Sequence, residues 1–582
     1  MSHETAVTAE ASGQPAPRMT HREVLEALSG LLLGMFVAIL AGTVVSTSLP
    51  RIVSDLNGDQ TAFTWVVTAT LLATTVSTPI WGKLADLVNR KWLLQISLLI
   101  FILSSALAGF SQDTATLIVF RVFQGIGAGG LTALAQIVMA DIISPRERGR
   151  YMGLFGAVMG VGTVGGPLVG GIITDSLGWR WNFYVAIPFA IAAIILLQRT
   201  LKLPKLKREK ADIDYAGAIL IAGGVSLLLV WVSLAGQAGQ FEWLSWTSFW
   251  MVAVSAAALI AAVIVELKAK QPIIPLSLFK NRTFTFSVIA SISVGVAMFG
   301  TSVFLGQYMQ LARGATPTQS GLLTLPMIIG MMGTSIIVGQ LISRTGKWKA
   351  YMVTGSILLT VGLFLMGTIS YDTNYVLLSA YMLVLGAGVG MVMQNLVLVV
   401  QNSAAPREVA TASSSVTFFR SLGGTAGVSV MGSILGSTVA GLMSDQATAL
   451  RTEIAKLGAG GAKIAEALQA GTIPTMSALP PGVRQIIESV YGQSVAHVFL
   501  IAVPLAVITI IAVALIPNKI LGTKTTIERL ADEGQLAEDS LAQAEITAVD
   551  VAEAMVAVTP AGLVEPEPKS ASSDRPGPSS SL

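Results

Sequence analysis

The chain has 582 residues, 53% of them hydrophobic and 12% charged, with a mean hydropathy of +0.71 and no cysteine. Soluble domains average about 25% charged residues, so this composition excludes an ordinary water-soluble globule, and the lack of cysteine excludes disulfides and thiolate metal sites. The net charge of +3 is too small for a nucleic-acid binder, and from Pro517 onward eleven acidic residues face five basic ones, leaving about +9 on the rest.

Residues 1–28 form a polar arm. The first apolar run is of full length without a small-residue cleavage site, which reads as a retained helix and not a signal peptide. Runs long enough for a helix to cross ~30 Å of hydrocarbon lie near 29–49, 62–81, 91–110, 115–140, 151–173, 182–198, 216–236, 246–266, 284–306, 320–342, 350–369, 375–400, 412–439 and 494–516. The thirteenth is interrupted by Arg420 and several Ser and Gly residues, so twelve or thirteen spans is the alternative to fourteen. Between the last two, residues 443–492 read as an external loop, with helical stretches at 450–468 and 483–491 broken at Pro480-Pro481. Residues 518–582 read as an acidic cytoplasmic tail with helix-forming periodicity at Ile527, Leu530, Leu536 and Leu541 and a Pro/Ser-rich, disordered end.

Lys and Arg alternate between the joints. One side collects 22 of them, from Arg18 to Arg407, against Arg51, Arg180 and Arg313 in the short loops of the other. The basic side of a membrane protein is the cytoplasmic one, which predicts both termini inside. The joint from Gly82 to Lys91 (Gly-Lys-Leu-Ala-Asp-Leu-Val-Asn-Arg-Lys) has a counterpart from Gly339 to Trp348 (Gly-Gln-Leu-Ile-Ser-Arg-Thr-Gly-Lys-Trp), with Gly, Leu and a basic residue at the same offsets. If these joints correspond, spans 1–6 and 9–14 are equivalent bundles with spans 7–8 inserted between them.

Three segments carry more specific chemistry. In the first joint, Gly82 allows a tight turn, and Asp86, Arg90 and Lys91 can form a charge network; the plainer reading is that the cations only set topology. Arg121, in Arg-Val-Phe-Gln124-Gly125, sits inside a span, where arginine costs roughly 2.5–3.5 kcal/mol on insertion scales. It needs polar partners or a wet cavity, unless it is a structural tether between helices. Gly162, Gly166, Pro167, Gly170 and Gly171 place small residues at four-residue spacing, which lets helix backbones approach, while Pro167 loosens one turn.

In order and spacing these segments, with Trp179-Arg180-Trp181-x-Phe183 and Arg420–Gly424, resemble the major facilitator superfamily, specifically its fourteen-span drug:proton antiporter branch, over about residues 25–517. The resemblance implies an all-α polytopic membrane protein with the major facilitator fold. It would have 14 spans, both termini cytoplasmic, a six-helix bundle over 29–200, two extra transmembrane helices within 201–283, and a second six-helix bundle over 284–517. It implies a conformational latch of Gly82, Asp86, Arg90 and Lys91, with the Asp facing the N-terminus of span thirteen. It also implies coupling or gating roles for Arg121, Gln124, Gly125 and Arg420, and an antiporter motif at Gly162, Gly166, Pro167, Gly170 and Gly171.

One departure matters. Where the branch has Leu-Asp-x-Thr in span one, this chain has Leu40-Ala41-Gly42-Thr43, and no Asp or Glu lies deep in any other span. A buried carboxylate is the usual carrier of a coupled proton, because burial raises its pKa. The substitutes are Asp55 or Asp59 outside span one, Asp141 at the inner end of span four, and His497 at the outer start of span fourteen, whose imidazole titrates near pH 6.5 when unperturbed; each also reads as an ordinary interfacial residue. Met35, Phe36, Gln124, Gln307, Gln310, Gln394 and Asn395 are candidates for an adaptable substrate cavity, although most Met and Phe residues in such a chain face lipid or neighbouring helices. The expected protein is therefore an exporter of hydrophobic or amphipathic small molecules in the bacterial inner membrane. It would exchange them for protons by alternating access and contact membrane lipid, with no nucleic-acid partner, no cofactor, no metal and no enzymatic activity. The alternatives are a dedicated exporter of one lipid, peptide or secondary metabolite, and a non-transporting scaffold or sensor.

Overall fold

A computed structural model describes residues 21–56, 60–201, 214–236, 240–457, 461, 476 and 479–533. Asp59, the linker from 202 to 213, most of 458–478 and the tail beyond 533 lie outside the described residues. The first 528 residues make one compact unit; residues 529–582 make a second, of which 529–533 are described and helical.

Among the described residues there is no strand. The long helices are α1 (His21–Asp55), α2 (Gln60–Leu87), α3 (Arg90–Gly109), α4 (Thr114–Ile142), α5 (Pro145–Ser176) and α6 (Ala186–Thr200, preceded by the turn Trp181–Tyr184). They continue with α7 (Tyr215–Leu234), α8 (Trp246–Lys268), α9 (Arg282–Gln307), α10 (Leu325–Thr345), α11 (Lys349–Met366), α12 (Tyr375–Ser403), α13 (Val409–Asp445) and α14 (Pro481–Leu515). By length and composition, 12 helices among the described residues are apolar enough to cross a membrane. The two long helices outside that set are α2, rich in threonine, and α5, rich in glycine. Their small and hydroxylated residues suit close helix packing.

Helix ends follow from short polar side chains that accept from the first free backbone N–H groups. Asn89 caps α3, Asp113 caps α4, Asp214 caps α7, Ser245 caps α8, Asn281 caps α9 and Asn374 caps α12. Gly346 closes α10 at φ 69°, a left-handed conformation that a side chain would strain. Two expectations are corrected here. The run around Arg420 is not interrupted: α13 is a continuous 37-residue helix. The stretch 483–491 is not a separate loop helix but the opening turns of the 35-residue α14, with Pro481 at its first position, where the missing N–H costs nothing.

Packing repeats with an offset of eight helices. α1 packs on α5 and α6, α2 on α4, and α3 on α4 and α6; likewise α9 packs on α13 and α14, α10 on α12, and α11 on α12 and α14. Each set has its own apolar core, one around Leu28, Phe101 and Phe155, the other around Phe304, Trp348 and Phe499. The sets meet through α2 against α13 and α5 against α10. The pair α7–α8 packs on itself, and α7 also leans on α2 and α13.

Candidate functional site: a closed junction between two helix sets

The end of the molecule that carries the basic joints is closed by paired crossings. At Gly82 of α2 an added Cβ would run into the side chain of Ser414 on α13, so glycine is what allows this crossing. One turn on, Asp86 Oδ2 accepts from the backbone N of Thr411 at 3.0 Å and from its hydroxyl at 2.5 Å, in the opening turn of α13. A helix N-terminus favours an anion there. Behind it, Arg90 Nη2 lies 3.6 Å from Asp86 Oδ1, while Nη1 forms an ion pair with Asp141 of α4 and Nε donates to the Ala85 carbonyl at 2.9 Å. All three charged side chains are buried. Lys91 stands apart from this network and donates instead to the Gln198 carbonyl on α6 at 2.8 Å, which corrects the expected quartet. Asp141, a candidate proton site in the sequence, takes the vacated place beside Arg90.

The second crossing mirrors the first. Gly149 of α5 and Gly339 of α10 meet so closely that a Cβ on either would strike the other's carbonyl oxygen. Gly339 is the counterpart of Gly82 in the internal repeat. Beside this contact Arg146 donates to the carbonyls of Ser343 at 3.3 Å and Arg344 at 3.0 Å. Buried Arg148 donates to the Ala140 and Ile143 carbonyls, each at 2.8 Å, and to Gln401 Oε1 of α12 at 2.5 Å. Gln401 in turn donates to the Gln136 carbonyl of α4 at 3.4 Å.

The segment after α14 crosses the same end. Lys349 donates to the Ile516 carbonyl at 2.8 Å and Trp348 Nε1 to the Lys519 carbonyl at 2.6 Å, both on the second helix set. Gly522 N then donates to Asn402 Oδ1 at 2.8 Å, while the Gly522 carbonyl accepts from Arg146 N at 3.1 Å on the first set. Thr526 finally donates to the Ala140 carbonyl at 2.9 Å. Sequence reasoning placed this stretch in a free tail and missed the strap; the signal available was Trp348, a residue that seeks a polar partner for its N–H.

Within the bundle, Gly162, Gly166 and Gly170 let α5 lie against α1. A Cβ at Gly166 would meet Thr43, and one at Gly170 would approach the Val44 carbonyl to 2.7 Å. Thr43 donates to the Gly162 carbonyl at 2.9 Å, and Ser48, Thr174 and Asn182 form a buried polar cluster further along. Gly171 has nothing within 4 Å of where a Cβ would stand, so the close approach does not need it. Pro167 lies inside the unbroken helix α5. Ala41 packs in the apolar core of the first helix set.

Arg121 and Gln124 form a tether. Arg121 Nε donates to the Val66 carbonyl of α2 at 3.2 Å and Nη1 to Gln124 Oε1 at 2.7 Å; Gln124 then donates to Ser105 of α3 at 2.7 Å. Gly125 sits 2.5 Å from the Thr70 carbonyl by its hypothetical Cβ, holding α4 on α2. Gln124 is thus hydrogen-bonded within the first helix set. Met35 belongs to the same core, and Phe36 stacks edge-on with Phe189 at 6.3 Å. Two other expected cavity residues do lie near the junction: Gln394 Nε2 is 3.9 Å from Met159 Sδ of α5, and Asn395 donates to the Met391 carbonyl at 2.7 Å. Gln307 and Gln310 are half-buried where α9 gives way to the π-helical turn Tyr308–Ala312. Asp55 accepts from Trp179 Nε1 at 2.9 Å, and His497 is exposed on α14.

A further opening, absent from the sequence reading, runs along the flank between α2, α4 and α7. It is an apolar cavity of about 620 Å³ lined by Trp65, Ala73, Trp81, Ile118, Ile126 and Val230.

The sequence profile described as Major Facilitator Superfamily matches residues 31–428. The chain belongs to the major facilitator superfamily. It is similar to the "Multidrug transporter protein MdtP" of Bacillus subtilis, 38% identical over 419 residues, 72% of this chain and 76% of that protein. It is similar also to "Multidrug resistance protein 3" of the same organism, 33% identical over 489 residues, covering 83% and 93%. Among solved structures, the proton:xylose symporter XylE superposes with a TM-score of 0.54 at 13% identity, covering 88% of this chain and 99% of that one, which speaks to the fold alone.

Proposed function

We propose that the protein is a secondary exporter of hydrophobic or amphipathic small molecules in the bacterial inner membrane. It works by alternating access between α1–α6 and α9–α14, in exchange for protons. On this reading α2 and α5 also span, giving fourteen transmembrane helices with α7–α8 inserted, and the basic end and both termini face the cytoplasm. The observation that carries the reading is the Asp86–Thr411 junction with its counterpart at Gly149–Gly339. One end of the interface is held shut by hydrogen bonds, glycine contacts and a few small apolar contacts such as Ala410 and Ala140, between two helix sets whose main cores are separate. Such an interface can part without either core being disturbed. The multidrug names of the Bacillus relatives support the substrate class.

A proton gradient supplies ~2.3 kcal/mol per charge per 100 mV, and without a deep carboxylate the Asp86–Arg90–Asp141 set is a place where a proton could be exchanged, beside Asp55, Asp59 and His497. The test is proton movement in proteoliposomes on addition of a panel of amphipathic drugs, with Arg121→Ala alongside. Drug-dependent proton flux supports the antiporter; counterflow without proton flux reduces it to facilitated diffusion; vesicles inert to the whole panel favour a scaffold.

A further inference from the structure

Arg121 and Arg420 are buried away from the ends of their helices, and their surroundings differ. Arg121 spends its donors on the Val66 carbonyl and on Gln124 within the first helix set. Arg420 of α13 is only 5% exposed, and among the described residues its polar contact is one long bond, 3.4 Å from Nη1 to the Met393 carbonyl of α12. A guanidinium carries several N–H donors and cannot shed its proton, so most of its hydrogen-bonding capacity is unused. Burying a charge without a partner is costly, and the sequence places no Asp or Glu deep within a span to offset it.

The position of Arg420 is fixed and central. Its own carbonyl lies against Gly295 of α9, and Gly423 and Gly424 pack closely on Ile292 and Phe299 of the same helix, so the backbone there has little freedom. One turn nearer the basic end, Thr417 donates to Gln136 Oε1 of α4 at 3.4 Å, a contact between the two helix sets. Arg420 therefore stands one turn beyond the closed junction, about 16 Å along α13 from Val409. Next to Met393, Gln394 reaches towards Met159 of α5 with its amide N, and its Oε1 is buried with no partner among the described residues. A fixed cation with spare donors is thus bonded to the backbone of the residue before Gln394, whose own amide is only partly satisfied and faces the Met159 thioether.

We propose that Arg420, with Gln394 beside it, is an anion subsite at the floor of the chamber between the two helix sets, and that the compounds it selects are amphipathic monoacids, an apolar body bearing one carboxylate. The inference rests on the export reading above and names its substrate class. A carboxylate matches the guanidinium fork with two parallel charge-assisted bonds, and Gln394 offers a further contact to a hydroxyl or amide on the same ligand.

The test compares three probes sharing one apolar body: pyrenebutanoate, pyrenebutanol and pyrenebutyl-trimethylammonium. Binding to the full chain in nanodiscs is followed by probe fluorescence. The wild type binds the acid about tenfold or more tighter than the alcohol, as one charge-assisted pair supplies, and binds the cation no better than the alcohol. Arg420→Gln shrinks the acid-to-alcohol ratio towards unity, and Arg420→Lys keeps part of it. Equal affinity of the wild type for acid and alcohol overturns the inference, as does an Arg420→Gln variant that weakens both by the same factor, or a wild type that binds none of the three. Should Arg420→Gln not fold, the wild-type ratio and Gln394→Leu decide. Gradient-driven export of the same probes from proteoliposomes separates the two claims. Selective acid binding without export sinks the exporter alone, while export of the alcohol or cation with no preference for the acid sinks the anion subsite alone.

Discussion

At the residue scale the junction depends on what glycine leaves out and on where one carboxylate points. Gly149 and Gly339 pass backbone to backbone, so any side chain there forces the helices apart. Gly339→Leu is expected to lower drug export by about tenfold or more, since a misfit of this kind costs ~1–3 kcal/mol, while membrane levels stay close to wild type; unchanged export at equal expression would mean the crossing is not used in the cycle. Asp86→Asn keeps the side-chain shape but removes the charge facing α13. Helix-end charges are worth ~0.3–2 kcal/mol, so the closed state should lose up to about thirtyfold in population. Because the chain has no cysteine of its own, a single Gln136→Cys thiol reports this directly: an impermeant maleimide added from the basic side should label it faster in the Asp86→Asn background. Equal rates would show that the Asp86–Thr411 bonds do not hold the junction.

At the element scale, the strap after α14 and the continuity of α13 are what the fold adds to the motifs. The strap ties Trp348 and Asn402 on one helix set to Arg146 and Ala140 on the other. Each such bond is worth ~1 kcal/mol net. Thr526→Val combined with Asn402→Ala should therefore raise maleimide labelling at Gln136→Cys by roughly thirtyfold if the two losses add, with α1–α14 otherwise intact by protease protection. No change in labelling would make the strap a passive packing feature. The apolar lengths and the glycine spacings were legible in the chain because they are local. Gly82 and Gly339 could be matched by eye, and the structure gives both a helix-crossing role. The partner of Asp86 could be placed only at the start of span thirteen by resemblance, since Thr411 is 325 residues away. Lys91 was grouped with Arg90 by adjacency, yet consecutive residues point to different sides of a helix start, and its amine went to Gln198. The strap and the flank cavity at Trp65, Trp81 and Val230 were not legible, since both arise only when distant elements are laid side by side.

At the scale of the whole molecule the eight-helix offset in packing, the separate cores and the closed basic end make one account: two rigid helix sets that part at one end and meet at the other. The most direct measurement is a reversible lock. Arg146→Cys and Ser343→Cys replace residues whose contact is 3.3 Å from guanidinium to carbonyl, on opposite sets, in a chain with no other thiol. A reductively cleavable bis-maleimide, long enough to span the reach of the arginine side chain it replaces, is expected to stop drug export from proteoliposomes, with reductant restoring it and each single variant retaining export under either treatment. Export that continues at the same rate with the cross-link fully formed would contradict it.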